Sequence, residues 1–256
     1  MSSYPLVCQL PPLVTTAGWQ WQKFEPASTG ANFWIGTDTD GNRWLTKLRG
    51  SFCAYREIIF SRLAQSMKWS YQSSVFMQID DESAITLGVG AGEIHAAQWF
   101  LHEHAQAVCA PSCPMQHLHD AEIRRVAEIA KYDIAHLLDW PKTELAAYIF
   151  GASDHPDRLI TVCHEFVAID GEQMFAHSPS DPRRSSWCVD QFGEKLQDGL
   201  SLLEDVCADL VALTDSQLED SLRVPPGIHL IEKWPIAPLV ERSFVFARNV
   251  GSSARV

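Results

Sequence analysis

Asp154 and Asp170 stand on either side of two short apolar runs, 159–163 and 166–169, which are joined across the polar pair His164-Glu165. The pattern predicts strand, turn, strand, with one acid in the loop before the first strand and the other just past the second. A hairpin of that length brings its two ends, and with them the two carboxylates, close together. Transfer of a phosphoryl group from a nucleotide needs such a pair, one Asp beside the acceptor hydroxyl and one holding Mg²⁺ on the phosphates. His155 follows Asp154 directly, where it could orient Asp154 through a hydrogen bond or serve equally well as a structural histidine of the loop. Asp157 adds a carboxylate of the kind that suits Mg²⁺. A surface hairpin that happens to carry acids is the plainer reading, and this segment alone does not separate the two.

Residues elsewhere extend the constellation. Lys47 ends a predicted strand and Glu57 lies in the helix that follows. A strand Lys that holds the α- and β-phosphates, positioned by a helix Glu, is the arrangement kinases use. Gly30, Ala31 and Asn32 precede the first strand of the same hairpin, where backbone N–H groups can cover phosphates; an ordinary loop fits them equally well. The run Gly88-Val-Gly90-Ala-Gly92 lacks the spacing and the Lys-Ser/Thr of a phosphate loop and reads as a connector. A separate cluster, His102-Glu103-His104, Cys109, Cys113 and His117-Leu-His119, has a ligand density that Zn²⁺ accepts. Cys109, Cys113, His117 and His119 are the candidates there, set against solvated histidines and inert thiols.

The elements that must position these groups follow from local pattern. Segments 32–36 and 43–48, joined through Asp40-Gly41, predict a hairpin, because Asp-Gly tolerates the positive φ of a tight turn. Apolar residues at helical spacing predict a helix over 53–67. Strands are expected at 74–79 and 84–89, and helices at 93–104, 121–137, 143–150, 191–205, 207–213 and 216–222. The nine tryptophans show no shared spacing and are assigned to packing. This is an α+β layout, with residues 1–92 as a β-rich N-lobe and 93–256 as a mainly helical C-lobe.

Composition narrows the function classes. A chain of 256 residues, 46% of them hydrophobic, can bury a full core. A net charge of −12 argues against nucleic acid as a direct partner. No run of apolar residues is long enough to span a membrane, and the first residues lack the pattern of a secretion signal. Seven scattered cysteines read as reduced thiols, so the expected location is the cytoplasm.

Taken in order, these segments resemble the HipA-like kinase family. Gly30-Ala-Asn-Phe and Asp40-Gly-Asn-Arg-Trp-Leu-Thr-Lys47 resemble its nucleotide-loop hairpin, and Tyr55-Arg-Glu57-Ile-Ile-Phe its Glu-bearing helix. Phe150-Gly-Ala-Ser-Asp154-His155 is similar to its catalytic loop and Val167-Ala-Ile-Asp170-Gly to its metal-binding motif. Leu222-Arg-Val-Pro-Pro followed by Glu241-Arg242 is similar to its closing segment. The resemblance implies a two-lobed kinase-like fold, ATP with Mg²⁺ or Mn²⁺ as cofactors, a protein Ser or Thr as acceptor, and a role in growth control of the toxin–antitoxin type. This chain departs from the family pattern Asp-Arg-His-x-x-Asn. No Arg stands between Asp154 and His155, and Asp157 and Arg158 occupy the region of the metal-binding Asn. Arg158 has only donors to offer, whereas Asp157 can ligate a metal. A regulatory pseudokinase, which binds nucleotide or a partner protein without transfer, is the alternative that these departures favour.

Overall fold

Asp38 organises the first hairpin. Its carboxylate accepts hydrogen bonds from the backbone N–H of Asp40 and Asn42, the Asn42 side chain and the indole N–H of Trp44. Gly41, at φ 83°, supplies the left-handed residue of the turn. The expected hairpin is therefore present as β3 (Phe33–Thr37) and β4 (Arg43–Lys47), with the five residues between them folded around Asp38. The computed structural model describes residues 13–24, 32–48, 51–69, 71–100, 139–153, 157–160, 166–169, 174–180, 196–226 and 236–253.

β3 and β4 belong to a six-stranded sheet with β1 (Leu13–Thr15), β2 (Gln20–Phe24), β5 (Ser74–Gln78) and β6 (Ile94–Trp99). The strand order is β1-β5-β6-β4-β3-β2, antiparallel except for β1 beside β5. Alternation gives the sheet two different faces. One carries Phe33, Ile35, Leu45 and Phe76, and the other Trp21, Trp34, Trp44, Met77, Ala97 and Trp99.

Helix α1 (Ser51–Ser66) packs on β5 and β6, as the helical spacing predicts. Ile58, Ile59, Phe60 and Leu63 are fully buried, so α1 is enclosed on most of its circumference. The far side of this core is built by Leu145, Ala146, Ile149 and Phe150 in or just after α3 (Asp139–Ile149), with Val206 and Leu210 of α4 (Leu196–Val211). Val240 and Phe244 of α6 (Ile236–Ser253) complete it. The short α5 (Asp215–Leu222) starts with a capping box between Thr214 and Gln217 and clasps α1 at its end. There Tyr55 and Arg62 donate to the carbonyls of Leu222 and Arg223. No described helix is long and apolar enough to cross a membrane.

Two predicted elements are corrected. The stretch 84–89 is not a strand but lies in and beyond α2 (Asp81–Leu87). Asp80 caps that helix by accepting from Ser83 N–H, Asp81 and Glu82 complement its dipole, and Gly88 closes it in the left-handed conformation. The helix predicted from 93 is replaced by β6 over 94–99, whose backbone is hydrogen-bonded to β5 on one side and β4 on the other. Its apolar residues suit either period, and ladders on both edges decide for strand. The sheet thus continues past residue 92. The helices predicted at 191–205 and 207–213 are one helix where described, α4, whereas the prediction for 121–137 lies outside the described residues. β1 and β2 were not anticipated.

Candidate functional site

Lys47 ends β4 on the sheet face that α1 covers. It is half-buried, its register partner is Phe33, and its ammonium nitrogen lies 5.7 Å from the centre of the Phe33 ring. Asn32 sits at the base of the same hairpin, where its side-chain oxygen accepts from the Trp34 indole at 3.1 Å and its carbonyl from Leu48 N–H. Gly30 and Ala31 lie outside the described residues.

Glu57 is buried, at 2% exposure, in the second turn of α1. Its Oε1 accepts from the Tyr71 hydroxyl at 2.7 Å and the Ser74 hydroxyl at 3.3 Å. Donors of this kind are what a buried carboxylate needs to offset lost hydration. Leu45 pairs with Gln98 across β4 and β6, and Gln98 with Ser74 across β6 and β5, while Lys47 stands two residues after Leu45 on the same strand face. Lys47 and Ser74 therefore share a face, with Cα atoms about 12 Å apart at ordinary strand spacing and rise.

Two antiparallel strands occupy the region of the predicted acidic hairpin, β7 (Asp157–Ile160), which begins two residues before the predicted run 159–163, and β8 (Phe166–Ile169), with Asp157 opposite Ile169. Asp154, His155 and Asp170 lie outside the described residues, but the chain on either side of them is tied together. Phe175 N–H donates to the Phe150 carbonyl at 2.8 Å, His177 N–H to Gly151 at 2.7 Å, and Ser180 N–H to Tyr148 at 3.0 Å. Gly151, at φ 59°, passes so close to the His177 carbonyl that a Cβ there would overlap it. Phe175 holds φ 60° although it is bulky and buried, a conformation that only firm surroundings maintain. The segment leading into Asp154 and the segment leaving Asp170 thus form one clasp. Rings in edge-to-face contact run from it to α1: Phe175 to Phe150 at 5.4 Å, Phe150 to Phe60 at 5.4 Å and Phe60 to Tyr71 at 4.8 Å. Tyr71, which holds Glu57, ends that row.

Cys109, Cys113, His117 and His119 lie outside the described residues, within which no three His, Cys, Asp or Glu side chains group as a metal site. Several features escaped the sequence reading. Trp19, Trp21, Trp34, Trp44 and Trp99 gather on one sheet face despite their irregular spacing, Trp44 meeting Trp19 at 6.1 Å and Trp99 at 5.1 Å. An open groove of about 390 Å³ lies between Pro179 and the α6 residues Pro238, Glu241, Val245 and Phe246. His95, buried on the tryptophan face, lies 3.2 Å from Glu93. Burial holds its pKa below the ordinary value, with Glu93 pulling the other way. No local periodicity signals any of these, since each depends on strands or segments meeting.

No protein-family model and no curated protein matches the sequence. Among solved structures, the chain is similar to a Helicobacter pylori proinflammatory kinase, CtkA, with a TM-score of 0.53 over 94% of this chain and 95% of that one. At 9% identity the similarity is one of architecture: a mixed sheet-and-helix chain with a kinase-like fold.

Proposed function

We propose that this chain is an ATP-dependent phosphotransferase of the HipA-like kinase type, acting on a protein Ser or Thr. The observation that carries the reading is the fold it shares with a solved kinase along nearly its whole length. Two local arrangements agree with it: Lys47 and Glu57 belong to the same side of the sheet, and the chain before Asp154 is clasped to the chain after Asp170. In this reading the sheet with α1 is the N-lobe, its boundary falling beyond β6, and the later helices are the C-lobe.

Lys47 binds the α- and β-phosphates and Glu57 positions it, while the backbone of Gly30, Ala31 and Asn32 covers the phosphates. Asp154 accepts the proton of the acceptor hydroxyl, oriented by His155. The donors suit a magnesium nucleotide: a half-buried cation at Lys47, and hard carboxylate oxygens at Asp157 and Asp170 to hold Mg²⁺ or Mn²⁺. A metal bound there neutralises phosphate charge.

Incubation with labelled ATP and either metal, followed by intact mass measurement, tests transfer. Asp154→Ala should abolish it with nucleotide binding retained, and Asp170→Ala should weaken both. Wild type whose melting temperature ignores millimolar ATP with Mg²⁺, and a Lys47→Ala variant that behaves the same way, would overturn the reading, because a ligand of the folded state must stabilise it. The run Asp154-His-Pro-Asp157-Arg158, without the family's Arg and Asn, favours a second reading as a nucleotide-binding pseudokinase. Binding without transfer under either metal selects it. Activity that Asp157→Ala lowers in a metal-dependent way excludes it.

A further inference from the structure

Glu57 is held from outside its own helix. Tyr71, in the link between α1 and β5, donates to Oε1 at 2.7 Å, and Ser74, the first residue of β5, donates to the same oxygen at 3.3 Å. Both donors are themselves immobilised. Tyr71 is fully buried with its ring edge-on to Phe60 at 4.8 Å. Ser74 N–H donates at 3.0 Å to the Ser61 hydroxyl of α1, which donates in turn to the Gln72 carbonyl at 2.9 Å. Gln65 of α1 adds bonds to Ser61 and Ser73. The carboxylate is thereby referred to the sheet as well as to α1. With Oε1 engaged by two donors, a cation that approaches from the Lys47 side meets a carboxylate of set orientation.

We infer that Tyr71 and Ser74 are positioning residues for the phosphate-binding lysine: they fix Glu57, and through it Lys47, in the geometry that receives a magnesium nucleotide. The inference rests on the kinase reading and adds to it two residues that no kinase motif in the sequence points to. Tyr71 also ends the row of rings that leads to the clasp at Phe150 and Phe175, so packing at the clasp and the orientation of Glu57 share a residue.

The test measures the Mg-ATP dissociation constant by calorimetry on the full chain, with melting temperature recorded without nucleotide. Wild type, Tyr71→Phe, Glu57→Gln, the double variant and Ser74→Ala are compared. Removing the Tyr71 hydroxyl should weaken Mg-ATP by about tenfold, the scale of a hydrogen bond to a charged group. It should cost nothing further in the Glu57→Gln background, because residues that act through one another are not additive. Ser74→Ala should weaken binding by about threefold, given its longer bond. A role in packing alone would lower the melting temperature and leave affinity unchanged. Should Tyr71→Phe fail to fold, Ser74→Ala decides by the same measurement: a loss of affinity supports the inference and an unchanged affinity overturns it. Tyr71→Phe binding as tightly as wild type, or losses that multiply in the double variant, overturns the inference and leaves the kinase reading standing. Wild type that binds no Mg-ATP overturns both.

Discussion

The two faces of the six-stranded sheet use the same strands for different purposes. Beneath α1 the face joins aliphatic and phenyl side chains to a buried polar set: Glu57, Ser61, Gln72 and Ser74. The opposite face is made of tryptophans, with α2 supplying Ala84 and Leu87. There the indole N–H of Trp21 donates to Ser83 in α2 and that of Trp44 to Asp38 in the hairpin turn. The tryptophan face secures the hairpins, which is a local task. The α1 face ties the sheet to the helices of the second half and carries Lys47 and Glu57, which the kinase reading proposes for nucleotide binding. Polar groups placed inside a shared core are held more firmly than polar groups at a rim, which suits a site that needs fixed geometry.

The largest test of this contrast is Phe60→Ala. Its ring is fully buried between Tyr71 and Phe150, and truncation should cost about 3–5 kcal/mol. Hydrogen exchange should then quicken in β5, α4 and α6 together, whereas Trp44→Ala should quicken it chiefly around β3 and β4. Equal spread from both variants would show that the faces are not separable. Gly151→Ala comes next. It combines a left-handed backbone with a collision against the His177 carbonyl, so about 2–3 kcal/mol is expected, read by denaturant titration. On the kinase reading proposed above, phosphoryl transfer should fall with it, since the clasped segments flank Asp154 and Asp170 in the chain. Asp80→Ala removes the cap of α2 and a bond with Thr16, at a cost of about 1 kcal/mol and on the tryptophan side only.

The smallest effect is a pH slope. Burial lowers the pKa of His95 in the folded chain, so the unfolded chain takes up the proton first. Stability is complete above the ordinary value of 6.5 and declines as pH falls below it, by at most about 1.4 kcal/mol per pH unit. Comparing melting temperatures of wild type and His95→Gln between pH 7.5 and 5.5 isolates this contribution. Asp38 and Asp80 act further down. Burial would raise Asp38, but its bonds from Trp44, Asn42 and Asp40 outweigh that, and the Ser83 and Thr16 bonds lower Asp80. Their contributions are present above the ordinary carboxylate value of 3.8 and are lost as pH falls below it.

Local chemistry made part of this molecule legible. Asp40-Gly41 between two apolar runs marks the β3–β4 hairpin, and the recurrence of Tyr55, Ile58, Ile59 and Leu63 marks α1, because turn geometry and helical period act within a few residues. Two apolar runs separated by a polar pair likewise mark β7 and β8. The 94–99 stretch reads as helix in sequence because short apolar runs carry no decisive period, and only its hydrogen bonds to β4 and β5 make it a strand. The same limit applies to α2, where Asp80 and Gly88 act as caps rather than as turns between strands. Lys47 and Glu57 are named as candidates from their order in the chain. The partners of Glu57, the gathering of five tryptophans on one face and the clasp between Tyr148–Gly151 and Phe175–Ser180 cannot be read that way. Each is a meeting of segments distant in sequence, set by strand order and by which face each side chain takes, and no window of neighbouring residues contains that information.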